Sequence, residues 1–233
     1  MAETYHVDHA SAVATQLRAD SRRPPLELVS LHVPKAFGTS LRQVLMRHYG
    51  RRRVATDYTT FIEGDREGED VRPPLPRKVA AVHGHFPAAR YASVPAHRRV
   101  AFLRDPVRRT ISHYFFWLNE PRHGNPLHDR MLDGKLDLLA FARLPQIRRF
   151  YSRTIFGGAD PASFDLIGVV ERLERDWPRF QDLTGIAAPL PHLNRNRYPG
   201  YDEAVERVTE DRVRMDALHC LLDADIRFYR RFL

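Results

Sequence analysis

Three short stretches of this chain carry side chains whose types and spacing could do chemistry. The first, PKAFGTS (34–40), follows an apolar run and opens a helical pattern. Gly38, Thr39 and Ser40 stand where a helix begins, and there the backbone N–H groups and the helix dipole favour an anion. Two hydroxyls add donors and Lys35 adds a point charge. The second, FLRDPVRRTISHY (102–114), places Arg104 at the end of another apolar run and Ser112 on the helix that starts just beyond it. An arginine so placed can grip a phosphate through two parallel hydrogen bonds while the serine contributes a hydroxyl. The third, HGHF (83–86), sets His83 and His85 on either side of Gly84. Histidine is the usual group for taking a proton from a hydroxyl nucleophile near neutral pH. Alternation along a strand points both imidazoles to similar sides, so that either could come near a bound anion.

These residues work together only on a scaffold that joins their positions. LELVSLHV (26–33) reads as a buried strand stopped by Pro34, and TSLRQVLMRHYG (39–50) as a helix with Leu41, Val44, Leu45 and His48 at helical spacing and Gly50 closing it. Residues 51–78, with RRR, GDREGED and PPLP, read as an excursion rich in charge and turn formers. KVAAVHGHF (78–86) and RRVAFLRDP (98–106) supply two more strands, and PVRRTISHYFFWLN continues from Pro106, a favourable first helical residue capped by Asp105, as an aromatic helix. Helical patterns follow around 135–154, then FDLIGVVERL offers a last strand passing into the helix ERLERDWPRFQDLTG. The basic loop PHLNRNRYPGY (191–201) precedes a C-terminal helical stretch.

Strands alternating with helices imply an α/β fold: one phosphate-loop-like domain over 25–233, a central parallel sheet flanked by helices on both faces, behind an N-terminal extension over 1–24. Arg104 and the His pair then fall at strand ends, where open parallel sheets place their ligands. Arg108, Arg109 and Tyr114 have no such placement and read as surface or core residues. Phe115, Phe116 and Trp117 read either as core or as a stacking platform for a sugar.

The 233 residues are 43% hydrophobic, enough for one sizeable core. A formal charge of +8 and a pI near 10 favour an anionic ligand or partner. Only Lys35, Lys78 and Lys135 are lysines, so a lysine inside a glycine-containing turn stands out. Cys220 is the single cysteine, which excludes an intrachain disulfide framework or a thiolate metal cluster and fits a cytoplasmic protein. The N-terminal residues lack the pattern of a signal peptide, and no apolar run approaches the length of a membrane span. No familiar nucleic-acid recognition motif is present. A metal site at the His pair would need further ligands, and no suitably spaced cluster stands out.

PKAFGTS does not match GxxxxGK[ST], the loop of nucleotide triphosphatases, because its lysine precedes its glycine. HVPKAFGTSL instead resembles the 5′-phosphosulfate motif of the sulfotransferases that use 3′-phosphoadenosine 5′-phosphosulfate, and FLRDPVRRTISHY resembles their 3′-phosphate motif. HGHF (83–86), IGVVERLE (167–174) and HLNRNR (192–197) extend the likeness in order. The carbohydrate branch, and within it the hexuronyl 2-O-sulfotransferase type with its His-Gly-His strand end, is the most similar. That branch commonly has Thr-Gly or Gly-Gly after the lysine, where this chain has Ala36 and Phe37. The resemblance implies that Lys35, Ala36, Phe37, Gly38, Thr39 and Ser40 hold the donor's 5′ end and that Arg104 and Ser112 hold its 3′-phosphate. It implies Lys35 as electrostatic stabiliser, His85 as catalytic base with His83 as its neighbour, and no metal. The acceptor it implies is a hydroxylated molecule, a sugar or acidic polysaccharide. Glu171 and the loop residues Asn194, Arg195 and Arg197 read either as closing over ligand or as structural.

Two rival readings make different demands. A phosphate-loop kinase or triphosphatase would need an acidic strand end for magnesium, whereas the strand ends here carry His and Arg. A non-catalytic module for nucleotide or polyanion would have no turnover to lose on replacing His85.

Overall fold

Leu26–Leu31 (β1) is the middle strand of a five-stranded sheet in which every pairing is parallel. In the computed structural model, which describes residues 24–58, 74–191 and 199–233, the other strands are β2 (Val54–Tyr58), β3 (Ala81–His85), β4 (Ala96–Leu103) and β5 (Leu166–Val169). Their order is β2-β3-β1-β4-β5. The expected extension over 1–24, Pro24 apart, and the HLNRNR motif with Asn194, Arg195 and Arg197 lie outside the described residues.

Both faces of β1 are covered, which is why it reads as a nearly unbroken apolar run rather than an alternating one. Leu26, Leu28, Val29 and Leu31 are all buried. Of its two polar residues, Glu27 is exposed, and the buried Ser30 has a partner: its Oγ lies 2.9 Å from Nδ1 of His83, directly opposite on β3.

The helices are α1 (Gly38–Tyr49), α2 (Pro106–Asn119), α3 (Pro126–Asp133), α4 (Leu138–Arg143), α5 (Pro145–Arg148), α6 (Leu173–Thr184), α7 (Tyr201–Glu210), α8 (Arg212–Leu221) and α9 (Asp223–Arg230). Period-two alternation divides the core between the sheet's faces. Val100 and Phe102 of β4 pack with Leu41 and Leu45 of α1 and Trp177 and Phe180 of α6. Ala101 and Leu103 pack on the other side with Phe141, Tyr151 and Phe228. The result is the expected α/β domain with a parallel sheet flanked by helices. No helix among the described residues is long and apolar enough to cross a membrane.

One element departs from the sequence reading. Within 51–78, read as an excursion, Val54–Tyr58 forms an edge strand on β3. Five residues behind an arginine run give little periodicity to read, and the pairing partner lies beyond a long connection. The close approach of β2 to β3 leaves no room for a side chain at Gly84, where a Cβ would run into the Asp57 carbonyl. Asp57, itself buried, accepts hydrogen bonds from Tyr91 Oη at 3.0 Å and Arg90 Nη1 at 3.3 Å, so the edge is anchored from behind. Gly84→Ala is therefore expected to lower unfolding free energy by roughly 1–3 kcal/mol, as overpacking does, measurable by urea denaturation. An unchanged midpoint would contradict this packing.

Candidate active site

The site forms at the C-terminal edge of the sheet. β1 ends, His32 and Val33 follow, and Pro34 turns the chain toward α1. Two residues in the turn, Lys35 (φ 64°) and Phe37 (φ 69°), adopt the left-handed conformation that side chains with a Cβ rarely take. Holding each there costs on the order of 1 kcal/mol, and such strain concentrates at functional turns. Packing of Phe37 holds the turn in place. Its ring sits edge-on to Phe102 (5.3 Å) and Trp177 (5.7 Å), so the departure at this position supplies a hydrophobic anchor in the core. Phe37 is also the residue preceding α1 and makes no side-chain cap to it. The helix start, with the Thr39 and Ser40 side chains, thus remains suited to an anion. Gly38 is obligatory for contact reasons: a Cβ there would collide with the His32 ring.

Arg104 follows β4 and reaches the same turn. Its Nη1 donates to the Lys35 carbonyl at 3.5 Å, across 69 positions of sequence. The strand end carrying it is clamped from behind. Tyr151 Oη donates to the Arg104 carbonyl (2.7 Å) and accepts from its N–H (3.2 Å). Glu171 accepts the Asp105 N–H (3.0 Å) and the Tyr229 hydroxyl (2.9 Å). Asp225, on α9, accepts from the N–H groups of Tyr151 (2.8 Å) and Ser152 (2.9 Å). Asp105 caps α2 through the Arg108 N–H at 2.9 Å. Ser112, buried on α2, lies two turns inside that helix. Arg109 is buried in the core, its guanidinium 4.0 Å over the Phe150 ring.

The two cations influence each other. Burial first, then the neighbouring Arg104 guanidinium, push the Lys35 ammonium down to about 8. Lys35 therefore still carries its charge at neutral pH, with less margin than an exposed lysine.

The histidines form a stack beside the turn. His32 lies over His83 (centroids 5.0 Å apart) and meets His85 edge-on at 4.3 Å. Tyr58, opposite His85 in the β2–β3 register, packs edge-on to it at 4.8 Å. Burial pushes His85 down to about 4, and burial with the adjacent His85 pushes His83 to about 3. Burial likewise holds His32 and His113 well below the ordinary range. All four are neutral at pH 7. The buried Nε2 of His85 has no hydrogen-bond partner among the described residues.

Lys35, Ala36, Phe37, Gly38, Thr39, Ser40, His85, Arg104 and Ser112 all line one cavity of about 730 Å³. His83 does not: it is wholly buried beneath the cavity, bonded to Ser30. Glu171 acts on the Arg104 strand end and does not line the cavity either. His32, Tyr58 and His113 line it without having been singled out in sequence. His32 could have been found as the side chain just past the end of β1, and His113 follows from Ser112 on the same helix; Tyr58 had no such signal, because β2 gave no periodicity to read. Among the described residues, no group of three or more His, Cys, Asp or Glu side chains is arranged to hold a metal ion.

A parallel sheet whose central strand leads through a strained turn with no side-chain cap into a helix, with a second cation arriving from the next strand end, is an α/β architecture suited to an anion. The chain belongs to the sulfotransferase family, whose profile matches residues 22–230. Sulfuryl transfer is the chemistry of that family. Among solved structures, the chain is similar to a sulfotransferase from Alicyclobacillus acidocaldarius (15% identity, 89% of this chain and 99% of that one, TM-score 0.41). It is also similar to mouse sulfotransferase SULT7A1 complexed with PAP (12% identity, 90% of this chain and 91% of that one, TM-score 0.36). Among curated proteins, none matches the chain.

Titration of His85 by NMR of the imidazole in the unliganded protein is expected to show protonation only near pH 4. An ordinary histidine titration would contradict the burial described here.

Proposed function

We propose that the protein transfers a sulfuryl group from 3′-phosphoadenosine 5′-phosphosulfate to a hydroxyl. The observation that carries this reading is the approach of Arg104 to the Lys35 turn, which makes one cavity from two anion sites. A nucleotide phosphorylated at both 3′ and 5′ positions matches such a pair. Lys35 with the start of α1 takes the 5′-phosphosulfate; Arg104 with Ser112 takes the 3′-phosphate.

His85 Nε2, neutral and unpartnered, accepts the proton of the acceptor hydroxyl as its oxygen bonds to sulfur. The bond from sulfur to the 5′-phosphate oxygen breaks at the same time. Lys35 neutralises the charge that develops on that bridging oxygen, which stays with adenosine 3′,5′-bisphosphate. The products are a sulfate ester, the bisphosphate and a proton that leaves His85 for solvent. His83, joined to Ser30 and stacked under His32, supports the strand end that presents His85.

Each of the two rival readings meets one feature that weighs against it. The strand ends present His32, Tyr58, His85 and Arg104 to the cavity, not the carboxylate that would hold the ion. A purely nucleotide-binding role gives no reason for His85 Nε2 to be buried without a partner, which costs stability.

With sulfur-labelled donor, His85→Asn is expected to lower kcat by about 10²–10⁴-fold while bisphosphate affinity stays within about threefold. Loss of affinity with unchanged kcat would remove His85 from the chemistry. Since kcat/KM reports the free enzyme, it is expected to fall as pH drops toward 4 and His85 becomes protonated, and to fall as pH rises past 8 and Lys35 loses its charge. A profile flat across either limb would contradict the corresponding assignment.

A further inference from the structure

Resting on the donor reading above, we infer that His123 is a specificity-determining residue: its Nε2 accepts a hydrogen bond from a second hydroxyl of the acceptor, distinct from the one that receives the sulfuryl group. His123 lines the same cavity as Lys35 and His85. It stands in the loop between α2 and α3, and a chain of hydrogen bonds rooted in the core fixes its ring.

That chain begins at the end of α2. Trp117 is in the last turn of the helix, where carbonyls have no partner within the helix. His128, fully buried on α3, brings its Nε2 to 2.8 Å from the Trp117 carbonyl. A carbonyl only accepts, so His128 Nε2 carries the hydrogen. Its Nδ1 lies 3.2 Å from Nδ1 of His123, which in turn lies 3.2 Å from the Pro121 carbonyl. This second carbonyl also only accepts, so the hydrogen at the contact between the two rings belongs to His123 Nδ1, which donates to Pro121 and to the lone pair of His128. In neutral His123 the remaining lone pair is on Nε2, and Nε2 is the nitrogen that can accept from a ligand. Gly124 (φ 76°) turns the chain directly after His123. Asn125 then caps α3, its side chain accepting from the N–H groups of Leu127 (2.9 Å) and His128 (3.3 Å). The accepting nitrogen is thus held by locked neighbours, as a specificity contact requires.

The end of α2 lies beside the reacting groups. Lys35 Nζ is 3.9 Å over the Phe116 ring, and the Glu120 carboxylate acts on the same ammonium. His113, one turn before Trp117 and 4.3 Å from its ring, is within electrostatic reach of Lys35, His85 and His128. Trp117 and His128 follow with ring centroids 5.1 Å apart, then His128 and His123 at 4.9 Å. A row of packed rings therefore joins the neighbourhood of His85 to His123. In their neutral forms both His85 Nε2 and His123 Nε2 accept, whereas one hydroxyl has a single hydrogen to give. The reacting hydroxyl gives its hydrogen to His85, so His123 calls for a second donor on the same molecule.

The test uses the full chain. Nitrogen-15 NMR at alkaline pH, where imidazoles are neutral, is expected to show the hydrogen on Nδ1 in His123 and on Nε2 in His128; a hydrogen on Nε2 of His123 overturns the proposal. The protein loaded with adenosine 3′,5′-bisphosphate is then titrated at neutral pH with cyclohexanol, cyclohexane-1,3-diol, phenol and resorcinol. Each diol is expected to bind about three- to tenfold more tightly than its single-hydroxyl counterpart, the range of one neutral hydrogen bond, and to shift the His123 Nε2 resonance. His123→Asn keeps an amide donor near Pro121 and His128 but places nothing at the Nε2 position, and is expected to bring each pair within about twofold. His123→Gln puts an amide oxygen near that position and is expected to restore most of the preference. Bisphosphate affinity is expected to stay within about threefold in both variants. Diols that do not bind, a diol preference that is missing in the natural protein or survives His123→Asn, or a larger loss of bisphosphate affinity in the variants overturns the His123 assignment and leaves the donor reading standing. Absence of bisphosphate binding to the natural protein overturns both.

Discussion

Two positive side chains, Lys35 and Arg104, are held together at the edge of the sheet, and the rest of the structure is arranged around that unfavourable meeting. The guanidinium reaches the Lys35 carbonyl, and its charge, after burial, is what lowers the lysine's proton affinity. Like charges approach only when something else fixes their backbones. On one side, Phe37 plugs the turn into the core formed by Phe102 and Trp177. On the other, Tyr151 and Glu171 clamp the strand end, and Asp225 and Tyr229 of the last helix hold them in turn. A helix more than a hundred positions downstream thereby holds Arg104 in place.

Burial does two opposite jobs in the same cavity. It strips protons from the histidines, leaving His85 as a neutral acceptor, and it weakens Lys35 without discharging it at neutral pH. A solvated edge would offer neither the low histidine value nor a low-dielectric environment in which one ammonium group stabilises a developing anion.

Much of this was legible in the sequence because local signals were strong. Pro34 and Gly50 bracket the first turn and helix, Asp105-Pro106 starts α2 at the residue expected, and Gly185 (φ 69°) ends α6. The site residues fell at strand ends, which parallel topology brings to one edge. Edge strand β2 was missed for want of periodicity, and with it Tyr58, the partner of His85 across the register. Alternation placed His83 and His85 on one side of β3 but could not distinguish depth. His83 lies opposite Ser30 within the sheet, while His85 closes the strand where the cavity begins. The substitution of Phe37 for a small residue became intelligible only once its ring was seen in the core.

Nucleotide discrimination tests the paired-cation account most directly: affinities for adenosine 3′,5′-bisphosphate and adenosine 5′-phosphate, measured by calorimetry at matched ionic strength in the natural protein and in Arg104→Ala. The natural protein is expected to favour the bisphosphate by about 10- to 100-fold, the range of a hydrogen bond to a charged group, and Arg104→Ala to bring the two ligands within about threefold. Equal affinities in the natural protein, or a preference that survives Arg104→Ala, would contradict it.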